Sequence, residues 1–284
     1  MVDISVVVAS FSGDHALLRC LESLEPQCEA AEVIVTTDRD PGGLPARFPS
    51  FRFVESRRGA GVFRLRALGV GSATGRLVAL TEDHCTVSPR WVEALLEAHR
   101  AGHPVVGGPV DNGLVARTFD WALYLCEYAA HMPPLPDGRA DMLLAVNIAY
   151  ARELLDRCRE TWREAFYENE VQDALRGVVL WRVERAAVTS HLQLSLTAAM
   201  AHLFRGGRRY GRHRKGTATP LARLLLPAAA LAVPGLLVWR VVRTVARRRP
   251  PLLPTVLRGL PCIVALQLSW GVGEMVGYLT PRKT

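Results

Sequence analysis

Leu77-Val78-Ala79-Leu80-Thr81-Glu82-Asp83-His84-Cys85 is the stretch whose reading decides the fold. Its four opening apolar residues fit a strand buried on both faces, as in a parallel sheet. Two carboxylates and an imidazole end it. Burying those groups without partners would cost several kcal/mol, roughly, per charge, so they belong where the strand leaves the sheet. Open α/β sheets bind ligands beyond the carboxyl ends of their strands. Three oxygen or nitrogen ligands bunched there suit a divalent cation, and such a cation suits a phosphate-bearing substrate. The same residues also fit a solvated acidic turn capping the next helix, since Ser88-Pro89-Arg90-Trp91 is a good helix start.

Outward toward the N-terminus, Ile4 to Val8 predicts a first buried strand that ends at Ala9-Ser10-Phe11-Ser12-Gly13. Ala16, Leu17, Cys20, Leu21 and Leu24 then recur at helical spacing. Glu32 to Val35 predicts a second strand, ending in the polar loop Thr36-Thr37-Asp38-Arg39-Asp40, and Phe51 to Val54 a third. Phe63 to Val70 reads as a helix. Strands alternating with helices imply βαβ units and a parallel sheet. The fold class expected is α/β, with a mostly parallel central sheet flanked by helices.

Outward toward the C-terminus, Trp91 to Arg100 is an amphipathic helix and Pro104 to Val110 a strand broken by glycines. Thr118 to Tyr128 is a helix whose aromatic stripe fits the core better than a ligand cage, because aromatics dominate core burial. Met132 to Gly138 reads as a loop, Asn147 to Tyr150 as a strand, and Arg152 to Arg159 as a helix. A second acidic cluster, Glu168-Asn169-Glu170, opens the next helix, where carboxylates are favoured electrostatically. That cluster reads either as functional or as a solvated first turn. Val178 to Val183 is a strand, and Ala186-Ala187-Val188 leads to Ser190-His191.

The charge of the chain is uneven. Its 284 residues carry a net +8, with six Lys or Arg between Arg205 and Lys215 and five Arg between Arg240 and Arg249. Basic blocks that flank apolar runs point to anionic lipid headgroups, and no zinc-finger spacing, RNA-binding aromatic motif or helix-turn-helix argues for nucleic acid. The six cysteines show no CxxC spacing, which fits reduced, mostly buried thiols. Met1-Val2-Asp3 runs straight into Ile4 to Val8, too short and too β-branched for a secretory segment, so the body is expected in the cytoplasm. Leu224 to Trp239 and Gly259 to Gly273 are apolar runs of 16 and 15 residues. Both fall short of the ~20 residues a spanning helix needs, and both contain proline. Interfacial or re-entrant helices, with both basic blocks on the cytoplasmic face, satisfy the positive-inside tendency better than a hairpin of two spans.

Taken in order, these strands resemble the family 2 glycosyltransferases, which have the GT-A fold, over residues 3 to 215. Ala9, Ser10 and Phe11 stand where such enzymes turn at the nucleotide, and Asp38 matches the second of a pair of aspartates facing the base. Leu65-Arg66-Ala67-Leu68-Gly69 looks like the family's Ala-Arg-Asn-x-Gly helix, with Arg66 kept. Glu82-Asp83-His84 falls on the metal-binding DxD motif, with Glu82 and His84 at its two defining positions. His in the set leans toward Mn²⁺ over Mg²⁺. Val106-Gly107-Gly108 and the segment from Asn147 resemble the floor of the acceptor pocket. Glu168 and Glu170 fall on the acidic catalytic-base motif, with Glu170 nearer its second acidic position.

The resemblance implies an inverting, metal-dependent enzyme that moves a sugar from a nucleotide-sugar donor to a lipid, lipid-linked or glycan acceptor. Glu170 or Glu168 would be the base; Ala9, Ser10, Phe11, Asp38, Arg66, Asp83 and Asn147 would contact donor or substrate; Glu82 and His84 would hold the cation. His191, just after a strand, fits a place in the metal shell, a contact to the diphosphate, or a structural role. The Gln-x-x-Arg-Trp motif of processive members is absent, so one sugar at a time is expected. Residues 1–215 form the catalytic domain in this reading, and 216–284 the membrane-associated helices. Two alternatives stand beside it: a degenerate domain that binds a nucleotide sugar or partner without turnover, and a nucleotidyltransferase. Ser10-Phe11-Ser12-Gly13-Asp14 lacks the basic loop expected of the latter.

Overall fold

The computed structural model describes residues 2–29 and 31–280. The end points 1 and 284 of the two expected domains therefore lie outside the described residues. The elements run β1 (Ile4–Ser10), α1 (Asp14–Leu24), β2 (Ala31–Thr37), α2 (Leu44–Arg47), β3 (Arg52–Glu55), α3 (Val62–Ser72), β4 (Leu77–Glu82), β5 (Cys85–Val87) and α4 (Trp91–Arg100). They continue with β6 (Val105–Gly107), β7 (Val110–Asn112), α5 (Thr118–Tyr128), β8 (Gly138–Ala140), β9 (Ile148–Ala151), α6 (Arg152–Arg157), α7 (Arg159–Trp162), α8 (Glu168–Ala174), β10 (Leu180–Arg182) and β11 (Val188–Ser190). Four helices close the chain: α9 (Leu196–Thr217), α10 (Pro220–Ala229), α11 (Val233–Arg248) and α12 (Leu253–Leu279).

Two compact units are present: Met1–Gly113 with His131–His191, and Leu114–Ala130 with Leu192–Thr284. The first holds an eight-stranded sheet in the order β3-β2-β1-β4-β9-β6-β10-β8 and a three-stranded sheet β5-β11-β7. The expected α/β class is observed. β1, β2, β3 and β4 pair in parallel, as the alternation of strands with helices predicted. β9 runs antiparallel between β4 and β6, so the sheet is mixed beyond β4. Ala9 lies beside Glu82, and Ser10 beside Thr37. The carboxyl ends of three parallel strands are thus level, and their polar residues are delivered to one edge.

The core lies against this sheet. Val7, Ile34, Val78, Leu80, Ile148 and Tyr150 meet Leu154, Trp162 and Phe166 from the segment after β9. α1 buries Leu17, Cys20, Leu21 and Leu24, four of the five positions its spacing predicted, and leaves Ala16 half-buried. Gly69 lets α3 lie close on β1, since a Cβ there would stand 2.2 Å from Val7 Cγ1.

Three local expectations are corrected. The run Pro104 to Val110 is two strands in different sheets, separated at Gly108-Pro109; a Cβ on Gly108 would stand 1.8 Å from Ala186 O, so the chain crosses there at backbone distance. The helix expected over 152–159 is interrupted at Cys158 into α6 and α7. The run Gly259 to Gly273 is not a short apolar piece but the middle of α12, 27 residues long, or about 40 Å at 1.5 Å per residue.

The carboxylate just beyond that run, Glu274, does not face water. It is buried, accepts from Trp270 Nε1 at 3.2 Å and from the Tyr278 hydroxyl, and lies 3.6 Å from Arg214. α9 and α12 approach at backbone distance through reciprocal glycines four residues apart. A Cβ on Gly207 would stand 2.2 Å from Trp270 O, one on Gly211 2.3 Å from Glu274 O, and one on Gly277 2.4 Å from Arg208 O. Among the described residues one helix, Pro250–Leu279, is long and apolar enough to cross a membrane; α10 and α11, bent by 73°, would together make a second if they act as one span.

Candidate active site

The turn after β4 is built around Asp83. Its Oδ2 accepts from Ser10 Oγ at 3.1 Å, from the Phe11 N–H at 2.7 Å and from the Ser12 N–H at 2.6 Å, while its own N–H donates to Ala9 O at 3.2 Å. Asp83 therefore holds the loop after β1 in shape, which is where Ala9, Ser10 and Phe11 were expected. Burial pushes its carboxyl above the ordinary value against the pull of His84 and these hydrogen bonds. Its second oxygen, Oδ1, is buried with no hydrogen-bond partner and lies 3.9 Å from His84 Nδ1. That nitrogen is 3.6 Å from Glu82 Oε2, and the His84 ring meets Phe11 edge-on.

Arg66 reaches the turn from α3. Its Nε donates to Glu82 Oε1 at 2.9 Å, its Nη2 to the same oxygen, and its Nη1 to Glu168 Oε2 at 2.8 Å. All three side chains are largely buried. Glu168 is the first residue of α8 and Glu170 lies in its first turn. The structure thus brings the DxD-like turn and the acidic cluster to opposite sides of one guanidinium.

His191 follows β11. Its N–H donates to His84 O at 2.7 Å, and its Nε2 lies 3.1 Å from Thr86 Oγ1. Burial, then the charges of Arg19 and His84, lower its pKa to about 4, so the imidazole is neutral near pH 7. Gly113 accommodates the ring, since a Cβ there would stand 2.3 Å from its Cε1 and Nδ1. Asp38 ends just past β2, its Oδ1 buried and 3.8 Å from Arg39 Nε; Arg39 Nη2 donates to Phe11 O at 3.0 Å. Asn147 spends its side chain on the protein. It accepts from Trp91 Nε1 at 2.9 Å and donates to Pro109 O at 3.0 Å and Ala186 O at 2.7 Å.

Sequence reasoning missed Ser12, Thr86 and Gly113. Ser12 acts through its backbone N–H, which no side-chain motif can signal. Gly113 closes an Asp-Asn-Gly turn signal that was legible but had no assigned partner.

A divalent cation fits part of this site. Asp83 Oδ1, the buried oxygen without a hydrogen bond, and His84 Nδ1 could hold one, with Glu82 Oε2 beside them. Among the described residues no group of three His, Cys, Asp or Glu forms a ready metal cluster, and His191 Nε2 is engaged with Thr86. Such ions often keep only one or two protein carboxylates and take their remaining ligands from water and substrate phosphates.

The family model described as glycosyl transferase family 2 matches residues 5–152. Polypeptide N-acetylgalactosaminyltransferase 10 of Mus musculus is 31% identical over 96 residues, 30% of this chain and 16% of that one. Succinoglycan biosynthesis protein ExoO of Rhizobium meliloti (strain 1021) is 30% identical over 117 residues, 39% of this chain and 33% of that one. The matches thus span about a sixth to a third of the length of these curated relatives. Among solved structures, the mannosyltransferase PcManGT from Pyrobaculum calidifontis, in complex with GDP-Man and Mn²⁺, is similar in fold. Its TM-score is 0.56 at 17% identity, over 95% of this chain and 86% of that one. The family match runs from β1 through the Glu82-Asp83-His84 turn to the end of β9, over more than half of the chain, and on that ground the chain belongs to glycosyl transferase family 2.

Proposed function

We propose that this glycosyltransferase moves one sugar at a time from a nucleotide sugar to a lipid, lipid-linked or glycan acceptor, with inversion, at the cytoplasmic face of a membrane. The observation that carries the reading is the facing of two acidic elements across Arg66, one at the end of β4 and one at the start of α8. Glu170 is the base in this scheme, as the residue nearer the family's second acidic position, while Glu168 pairs with Arg66. Its carboxylate takes the proton of the acceptor hydroxyl while that oxygen attacks the anomeric carbon; the bond from that carbon to the diphosphate breaks, and the nucleoside diphosphate leaves. One displacement inverts the centre. A divalent cation, Mn²⁺ or Mg²⁺, held by Asp83 and His84 would offset charge growing on the diphosphate. Ala9, Ser10, Phe11 and Asp38 line the donor side, and Asn147 acts as a strut beneath it.

Residues 1–215 carry the chemistry in this proposal, and 216–284 the membrane association. The exposure of Leu221, Leu224, Leu225, Leu231, Trp239 and Leu257 supports it. Phe204-Arg205-Gly206-Gly207-Arg208-Arg209-Tyr210, in place of a processivity motif, supports single additions.

The test incubates membranes containing the full chain with labelled nucleotide sugars, GDP-mannose among them, with and without Mn²⁺. Label should pass to a lipid extract or a glycan. Glu170→Ala should lower transfer by about 100-fold or more and leave nucleotide binding nearly intact. Unchanged turnover in that variant refutes Glu170 as base. Nucleotide-sugar binding without transfer from any donor would instead favour a non-catalytic binding domain, a reading kept open by Arg66 standing where a cation would neutralise Glu82.

A further inference from the structure

Arg66 does more than balance charge. Three of its donors are committed, two to Glu82 and one to Glu168, and the side chains of all three residues are no more than 13% exposed. α3 holds the entry of α8 by a second route as well. The Phe166 N–H donates to Phe63 O at 2.8 Å, and the Phe63 ring meets Tyr167 edge-on at 5.5 Å while lying 5.4 Å from the guanidinium. On the other side, Glu82 leads directly into Asp83, which braces the loop after β1 through Ser10, Phe11 and Ser12.

We propose that Arg66 is a positioning residue, not a donor ligand: its guanidinium fixes α8 to the Glu82-Asp83-His84 turn. Ligand binding at the turn and alignment of the carboxylates on α8 then become one event. The planar fork matters here. A lysine ammonium is a point charge on a flexible stem and does not reproduce a geometry that serves two carboxylates on opposite sides. Cation or nucleotide at the turn and the carboxylates of α8 therefore act on the same group, and the site is assembled from the turn outward. The catalytic consequence rests on the reading of Glu170 as base; the structural coupling does not.

Amide hydrogen exchange on the full chain tests the proposal, using wild type, Arg66→Met, Arg66→Lys and Glu168→Gln, each alone and with UDP or GDP plus Mn²⁺. In the wild type, the nucleotide that binds should slow exchange at both 77–87 and 168–174. In Arg66→Met the same nucleotide should bind within about threefold, the slowing should stay at the turn, and α8 should exchange about tenfold faster without ligand. Arg66→Lys should fail to restore the coupling. Where transfer is measurable, Arg66→Met should lower kcat about 100-fold with the donor KM within about threefold, the pattern of misplacement.

A tenfold or greater loss of nucleotide affinity in Arg66→Met would make Arg66 a donor ligand and overturn the proposal. So would α8 exchanging as in the wild type. Should Arg66→Met not fold, Glu168→Gln, which cuts only the α8 half, must loosen 168–174 and leave 77–87 unchanged. Absence of transfer from every donor would sink the proposed reaction but leave these exchange outcomes to decide the coupling.

Discussion

Asn147 shows how a residue can be central to a site by bearing weight. Its amide satisfies an indole N–H and two carbonyls, all buried, and so ties the entry of β9 to α4 and to the chain before β7 and β11. Asn147→Ala strands those groups at about 1 kcal/mol or more apiece, so unfolding by urea should report a loss of about 3 kcal/mol or more. Donor KM should change little. Asn147→Asp should not rescue it, because a carboxylate cannot donate to Pro109 O and Ala186 O. At the same scale, little of the site's wiring was legible beforehand. The acidic turn was readable because polar residues ending an apolar run have few other places to go. The link from Arg66 to Glu82 and Glu168 was not, because contacts between residues so far apart in sequence leave no periodicity in one chain.

Elements follow a different rule. α4 and α5 begin and end where their spacing predicted, since amphipathic helices are specified by neighbours three and four residues away. β5, β7 and β11 are three residues each and exist only through mutual pairing, which local sequence does not encode. The end of the sheet away from the site carries a testable knot. Glu32 of β2 accepts from Ser5 of β1 and from Thr74 N and Oγ1 beyond α3. Burial opposes its ionisation, but these hydrogen bonds and Arg52 outweigh it and hold its pKa below the ordinary 4.5. A carboxylate depressed by folding contributes stability above its unfolded pKa and loses it as pH falls through the folded value. Thermal melts from pH 5 to pH 3 should therefore steepen below about 4.5 in the wild type and be flatter in Glu32→Gln. In the second unit, α9 and α12 meet at glycines where no side chain fits. Gly277→Leu should separate them and lower the melting temperature in detergent, whereas Gly235→Ala, at a glycine with nothing within 4 Å of its Cβ position, should do so far less.

The whole molecule is basic at +8, and most of its exposed large apolar side chains lie between Leu221 and Leu279. Trp239 is exposed and packs under Arg243 at 4.9 Å, a pairing suited to a membrane–water interface. Binding to vesicles rich in phosphatidylserine should exceed binding to neutral ones and weaken sharply as salt rises through about 0.15 M. Equal affinity for both vesicle types would exclude the arginines as contacts.

The second unit is assembled from two separated pieces of chain, α5 and then everything after His191. α5 packs against α12, which begins 125 residues after α5 ends at Tyr128. At about 5–20 residues per second of synthesis, α5 leaves the ribosome on the order of ten seconds before its partner. Through that interval Leu123, buried in the finished protein with Leu266 of α12 as well as with Ala199 and Leu203 of α9, lacks the α12 part of its surroundings. The order of translation therefore leaves the α12-facing side of α5 uncovered until α12 has been made.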